Sequence, residues 1–240
     1  MTYQLEKFKL GLEELKIPYS DKKINQFLIF YEMLTEKNKV MNLTAITEFE
    51  DVVEKHFLDS LSLIKCVDLN GIMKVLDLGT GAGFPGIPLK IMFPELDMVL
   101  MDSLNKRVLF LQEVISELNL SGVTAIHGRA EEMAVKKEYR EQFDLCVSRA
   151  VANLSALSEY CIPFVKPGGT FISYKSGEIE GEVRQAGKAV AVLGGKIVNI
   201  EKFVLPETDV SRSFVQIEKI KRTPKSYPRK AGTPSRAPIQ

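Results

Sequence analysis

Residues 73–86 read Met73-Lys74-Val75-Leu76-Asp77-Leu78-Gly79-Thr80-Gly81-Ala82-Gly83-Phe84-Pro85-Gly86. A short apolar run meets an acid, Asp77, and then four glycines. A buried parallel strand delivers the chain to a nucleotide-like ligand in this way. Glycine takes positive φ at little steric cost and lets bare backbone approach the ligand. Gly81, Gly83 and Gly86 fit G-x-G-x-x-G, a dinucleotide pattern that is weak alone. The offset argues against a pyrophosphate. Gly79 is the first glycine after the strand, and counting from it the third position falls on Phe84. Pro85 then lacks the N–H that a phosphate cradle needs. Asp77 adds negative charge where an anion would sit. The loop suits a cofactor carrying an ammonium and a sulfonium. A ligand-free tight turn is the bland alternative, and it needs fewer glycines.

Outward from the loop, Met98–Asp102 is a second apolar strand ending in an acid, 19 residues after Gly83 and 23 after Gly79. An acid at that place can accept from both ribose hydroxyls. It can also cap a helix beginning near Asn105, as Ser103 can. A third strand, 123–127, leads to Ala130 and Glu131, which offer a backbone amide and a carboxylate beside an adenine or merely open a helix. A fourth, 143–147, runs into Ser148-Arg149-Ala150. Arg149 stands at a strand's carboxyl end, where open α/β sheets bind ligands; an exposed surface arginine is its alternative.

Strands are expected near 73–78, 97–102, 123–127, 143–147, 170–174, 196–202 and 212–219. Helices are expected near 88–93, 105–119, 130–138, 154–163 and 178–193. This alternation implies α/β: a doubly wound, seven-stranded, mostly parallel sheet. Only a loop with Pro206 separates the last two strands, so they close the sheet as an antiparallel hairpin. That layout belongs to Rossmann-like class I S-adenosylmethionine methyltransferases rather than to nicotinamide dehydrogenases. Residues 1–70 form a helical extension. Leu5, Phe8, Leu12 and Leu15 mark one helix, and Ser20 or Asp21 caps a second over Ile24, Phe27, Leu28, Tyr31 and Leu34. A loop covers 38–47. A third helix from about Glu48 places His56, Asp59, Ser60 and Leu63 on one face.

The formal net charge is +1. Residues 219–240 hold seven basic residues and no acid, which leaves 25 basic and 31 acidic residues in 1–218. This tail, with four prolines and Tyr227, reads as a flexible arm for RNA phosphates or as a solubilising tail. The division expected is therefore 1–70, 71–218 and 219–240. No apolar run spans a bilayer, and the N-terminus lacks a signal-peptide layout. Cys66, Cys146 and Cys161 form no C-x-x-C pair and read as reduced core thiols in the cytoplasm. With two histidines, a structural zinc site is not expected.

These residues resemble the bacterial small-subunit rRNA guanine-N7 methyltransferases, the RsmG or GidB family. The resemblance runs through Asn42-Leu43-Thr44, His56 with Asp59-Ser60, and 77–89 with its Phe-Pro-Gly-Ile-Pro. It continues through Asp102-Ser103 with Lys106-Arg107, Ser148-Arg149-Ala150, Lys175, and the tail motif at 227–234. Lys175-Ser176-Gly177 departs from the Lys-Gly of many members. The resemblance implies S-adenosylmethionine as cofactor, 16S rRNA or a small-subunit particle as substrate, and no membrane. It implies cofactor contacts at Gly79, Phe84, Ala130, Glu131 and Arg149. Asp77, Gly81, Gly83 and Asp102 join them from the loop and the wider fold. A monomer is expected.

No catalytic residue is assigned. Guanine N7 carries a lone pair and no proton, so it needs no general base. The Asn/Asp-Pro-Pro-aromatic motif of amine methylation is absent after strand four. Cys146 and Cys161 lie on apolar stretches, unlike a cytosine-C5 nucleophile. His56 is a base, a structural histidine, or with Asn42 and Asp59 part of a wall against the nucleotide. Rival functions are a nicotinamide oxidoreductase and a non-catalytic RNA-binding module.

Overall fold

A computed structural model describes residues 3–71, 73–149 and 152–240. Ile72, Ala150 and Val151 lie outside them, and Ala150 belongs to one of the motifs above. The sheet order is β3-β2-β1-β4-β5-β7-β6. Its strands are β1 (Lys74–Leu78), β2 (Asp97–Asp102), β3 (Val123–His127), β4 (Phe143–Ser148), β5 (Val165–Lys175), β6 (Gly195–Val204) and β7 (Ser211–Lys219). β1 to β5 pair in parallel. β7 is antiparallel to both β5 and β6. The seven strands and the terminal hairpin are as expected. β5 is longer, because Val165 already pairs with Phe143 of β4 and Lys166-Pro167-Gly168-Gly169, which reads as a turn, is bridged as an irregularity before pairing resumes at Thr170. Glycine tolerates that irregularity within a strand.

Period-two alternation sends side chains to two apolar clusters. Val75, Leu145, Val147 and Ile172 face one; Leu76, Cys146 and Phe171 face the other. The first cluster is covered by α5 (Gly86–Met92), α6 (Asn105–Glu117) and the N-terminal helices α1 (Glu6–Glu14) and α2 (Asp21–Met41). The second is covered by α7 (Ala130–Met133), α8 (Leu154–Cys161) and α9 (Glu180–Val192). α7 is shorter than expected. The following turns are held by the Arg140 guanidinium, which donates to the Ala134 carbonyl at 3.1 Å.

α2 runs on to Met41, through the start of the expected loop. Asn42 ends it in a left-handed conformation (φ 49°), which asparagine tolerates. The third helical stretch is composite: α3 (Phe49–Val52), a π turn (Val53–Leu58), α4 (Asp59–Leu61) and a 3-10 turn (Ser62–Lys65). Phe8, Phe27, Phe30 and Phe57 of these helices pack ring to ring, with neighbouring centroids 4.8–5.9 Å apart. Phe84 of the glycine loop joins them, 5.3 Å from Phe30. The N-terminal helices and the loop therefore share one core.

The basic tail departs from its expectation of flexibility. β7 ends at Lys219, inside the segment read as tail, and its side chain is 1% exposed. Its Nζ donates to the Ile162 carbonyl at 2.8 Å and to Thr223 Oγ1 at 2.7 Å. Burial pulls this ammonium down to about 8. Arg140 donates to the carbonyls of Thr223, Pro224 and Tyr227. The short helix α10 (Thr233–Arg236) completes the chain. Backbone carbonyls met by the half-buried Arg140, and Thr223 met by the buried Lys219, dock this segment.

Candidate functional site

The carboxyl ends of β1, β2 and β4 meet where the strand order reverses, which is where open α/β sheets hold ligands. The glycine loop is tied there by its backbone. Gly79 and Thr80 donate to the Met101 carbonyl, at 2.9 and 3.2 Å. Ser148 Oγ donates to the Leu78 carbonyl at 2.7 Å and closes the gap between β1 and β4.

Two cavities open on this edge. The first, about 290 Å³, has apolar walls from Leu78, Met101, Leu157 and Tyr160, and polar ones from Asp102 and Glu131. The second, about 870 Å³, is lined by His56, Asp59, Arg107, Arg149, Lys175 and Arg212, among others. Gly79, Asp102 and Ser103 line both. A ligand can therefore lie in the first cavity and reach over Gly79 into the second.

The expected cofactor residues divide between these places. Gly79, Asp102, Ala130 and Glu131 line the first cavity. Asp102 Oδ2 accepts from Gly81 N–H at 2.9 Å and Oδ1 from Leu104 N–H at 2.9 Å. Each carboxylate oxygen has two lone pairs, so acceptor capacity remains for ribose hydroxyls. Arg107 lies 3.4 Å away, on the side of the second cavity. Glu131 Oε1 accepts from Gly232 N–H of the tail at 2.8 Å.

Asp77, Gly81, Gly83 and Phe84 are not among the lining residues of either cavity. Asp77 is fully buried and turned beneath the loop, where Oδ2 accepts from Thr80 Oγ1 at 2.6 Å and from Gly86 N–H at 2.8 Å. Its Oδ1 is buried with no partner among the described residues. Burial pushes this carboxyl up to about 6, against Thr80, the Gly86 N–H and Arg149, which hold it down. A Cβ on Gly86 would lie 2.2 Å from Leu100 Cδ2 and 2.8 Å from Asp77 Oδ2, so only glycine allows this bond. Gly81, at φ +62°, turns its N–H toward Asp102. The Phe84 ring is 5% exposed and directed into the aromatic core, not onto a cavity wall. An apolar ring at the switch between loop and helix gains more by burial there than at a polar rim.

Arg149 lies in the second cavity. Its guanidinium stands 5.0 Å over the Phe84 ring. It donates to the Lys55 carbonyl and to Asp59 Oδ2, both at 3.0 Å. It also approaches His56 Nδ1 at 3.0 Å. The same Nδ1 also lies 3.0 Å from the Lys55 carbonyl, so a donor and an acceptor both face it. The other ring nitrogen, Nε2, is hydrogen-bonded with Thr44 Oγ1 at 2.9 Å. The His56 ring stacks on Phe84 at 4.4 Å. Burial, with Arg149 and Arg212 beside it, pushes the imidazole down to about 3. His56 is thus a neutral, oriented wall residue and not a base. Asp59 also holds Arg212, with Nε donating to Oδ1 at 3.0 Å. Asn42 is an exposed helix cap outside both linings, which removes it from the wall.

Sequence reasoning missed Arg212, Thr44, Tyr160 and the tail residues Gly232 and Ser235. Thr44 was within reach, since it lies in the Asn-Leu-Thr element. Arg212 and the tail carry no local signal; only the docked fold brings them to the site. Lys175 pairs with Glu182 at 2.7 Å and donates to the Ala152 carbonyl at 2.8 Å, so the altered Lys-Ser-Gly order leaves it at the site. Cys146 and Cys161 are buried, and burial raises the Cys146 thiol well above its ordinary range, which excludes a ready thiolate. Among the described residues no cluster of metal-ligating side chains occurs, and no helix is long and apolar enough to cross a membrane.

The family described as GidB, rRNA small subunit methyltransferase G, matches residues 23–215. The ribosomal RNA small subunit methyltransferase G of Lachnoclostridium phytofermentans is 53% identical, over 97% of this chain and 96% of its own. The protein of the same name from Alkaliphilus metalliredigens is 52% identical, over 97% of both. Among solved structures, TYW2 of M. jannaschii in complex with AdoMet aligns with a TM-score of 0.51 and 18% identity, over 63% of this chain and 71% of that one. The apo methyltransferase SibL aligns with 0.51 and 15%, over 68% and 55%. At these identities the structural likeness is one of fold.

Proposed function

The chain belongs to the rRNA small subunit methyltransferase G family, and we propose that it transfers a methyl group from S-adenosylmethionine to N7 of a guanine in 16S rRNA. The observation that carries this reading is the pair of cavities joined at Gly79 and Asp102. The smaller suits an adenosine: apolar walls for the base, and the Asp102 carboxylate for the ribose. The larger, rich in guanidinium and ammonium groups, suits a nucleotide and its phosphates. Ala130 and Glu131 stand at the adenine edge. Asp77 and Gly86 hold the loop's shape from beneath, so Asp77 acts on the cofactor through the loop.

When bound, the cofactor supplies an electrophilic methyl on a sulfonium. The chain's task is then to hold N7 in line with that methyl and to exclude water. Arg149, fixed by Asp59, Lys55 and His56, and Arg212, fixed by Asp59, form a rigid wall of the nucleotide cavity. His56 is held neutral and both its ring nitrogens are already engaged. This fits an acceptor atom with no proton to remove. N7 lies in the deep, narrow groove of A-form RNA, so the target is a guanine in an unpaired or splayed loop. The substrate is 16S rRNA or the small-subunit particle, and the enzyme acts as a monomer.

Methyl transfer from labelled cofactor to small-subunit particles and to deproteinised rRNA tests this, with the modified nucleoside mapped. N7-methylguanosine at one position is expected. Lack of cofactor binding at millimolar ligand, or binding of NAD in its place, contradicts it.

A further inference from the structure

We propose that the tail segment 223–236 is a fixed wall of the adenosine cavity, and that Glu159 and Arg229 are the positioning pair that sets cofactor affinity through it. This rests on reading the smaller cavity as the adenosine site. Gly232 and Ser235 line that cavity together with Asp102 and Tyr160. Gly232 N–H also donates to Glu131 Oε1, so the tail is bonded to the adenine-side turn itself.

Arg140 and Lys219 hold the start of the segment, and one ion pair holds it next to the cavity. Glu159, on α8, is 0% exposed. Arg229 Nε donates to both its oxygens, at 2.9 and 3.0 Å, and Nη2 to Oε2 at 2.6 Å. The Arg229 backbone N–H adds a fourth bond at 2.7 Å. A buried carboxylate needs such a partner, and the planar guanidinium fork fixes direction as well as distance. Only two residues separate Arg229 from Gly232, so the pair sets where the lining residues stand. Tyr160, next to Glu159 in sequence, lines the same cavity. Pin, wall and turn form one connected unit. Five tail cations, Lys221, Arg222, Lys225, Lys230 and Arg236, stay exposed and remain open to RNA phosphates.

The test is titration calorimetry of the full-length, RNA-free protein with S-adenosylmethionine and, separately, with adenosine. Glu159→Leu with Arg229→Ala removes both charges and leaves none buried alone. Kd for both ligands is expected to rise about tenfold, by the same factor, while RNA affinity at fixed salt is unchanged. Arg229→Lys keeps the charge without the fork and should give a smaller rise. An unchanged Kd in the folded double variant overturns the proposal, as does a loss confined to RNA binding. The chain has no tryptophan, so Ser235→Trp gives an independent reading that leaves the buried pair intact. Its emission is expected to change on adding adenosine, or its affinity to fall; unchanged emission together with unchanged affinity would overturn the proposal. If the unaltered protein binds neither ligand, the adenosine reading of the cavity fails first, and the wall fails with it.

Discussion

Two buried groups near the glycine loop titrate in opposite senses. His56 is held at about 3, below its ordinary 6.5. The folded state therefore resists its protonation, and His56 contributes stability above pH 6.5 that is lost as pH falls toward 3. Asp77 is held at about 6, above its ordinary 3.8. Its ionisation opposes folding, so its effect is reversed: stability rises as pH falls from 6 toward 4. The two nearly cancel between these limits. Asp77→Asn should expose the His56 slope, with stability falling by up to about 1.4 kcal/mol per pH unit on acidification. His56→Gln should show the opposite change. Urea unfolding at a series of pH values measures both, and parallel curves for all three proteins would contradict it. Arg149→Leu removes a neighbouring cation, so the His56 pKa should rise above 3 in an NMR titration. Much of this was legible in the sequence as residues but not as roles. Asp77, Phe84 and Arg149 stand out in the chain, yet only packing shows that Asp77 and Phe84 turn away from the cavity.

The glycine loop works as an element because it is held from both sides. Phe84 anchors it to the aromatic core of α1, α2 and the π turn, and Asp77 fixes its far end through Gly86. Phe57→Ala should cost about 3–5 kcal/mol of stability, measured by denaturant unfolding. Gly86→Ala places a methyl against Leu100 and Asp77. Its stability should fall, and its affinity for S-adenosylmethionine should fall with it. Unchanged affinity in calorimetry would show that the loop's shape does not depend on this contact. Strands, helices and the closing hairpin were readable from periodicity and turn residues. The π turn, the length of β5 and the run of α2 to Met41 were not, because tertiary partners override local preference there.

At the scale of the whole molecule, the N-terminal helices, the sheet and the tail meet around one site. The tail is the clearest departure from the sequence reading. Composition marked it as basic and rich in proline, which is true of its surface cations. Its docking depends on Glu159, on Arg140 and on Glu141, which accepts from the Thr223 N–H at 2.8 Å, all distant in sequence and invisible to a local pattern. Arg229→Ala alone leaves the Glu159 carboxylate buried without a partner, and should cost about 3–5 kcal/mol in thermal or urea unfolding. Removal of residues 219–240 should likewise destabilise the protein, since it takes Lys219 out of β7; an unaltered unfolding midpoint would contradict the docked tail.

The most direct measurement is the nucleoside formed when the protein, S-adenosylmethionine and small-subunit rRNA react, digested and identified by mass. N7-methylguanosine is the expected product, formed at a rate that does not depend on pH between about 7 and 9, since no base is required. Methyl on a cytosine carbon or an exocyclic amine, or no methyl transfer from a cofactor that binds, would contradict it.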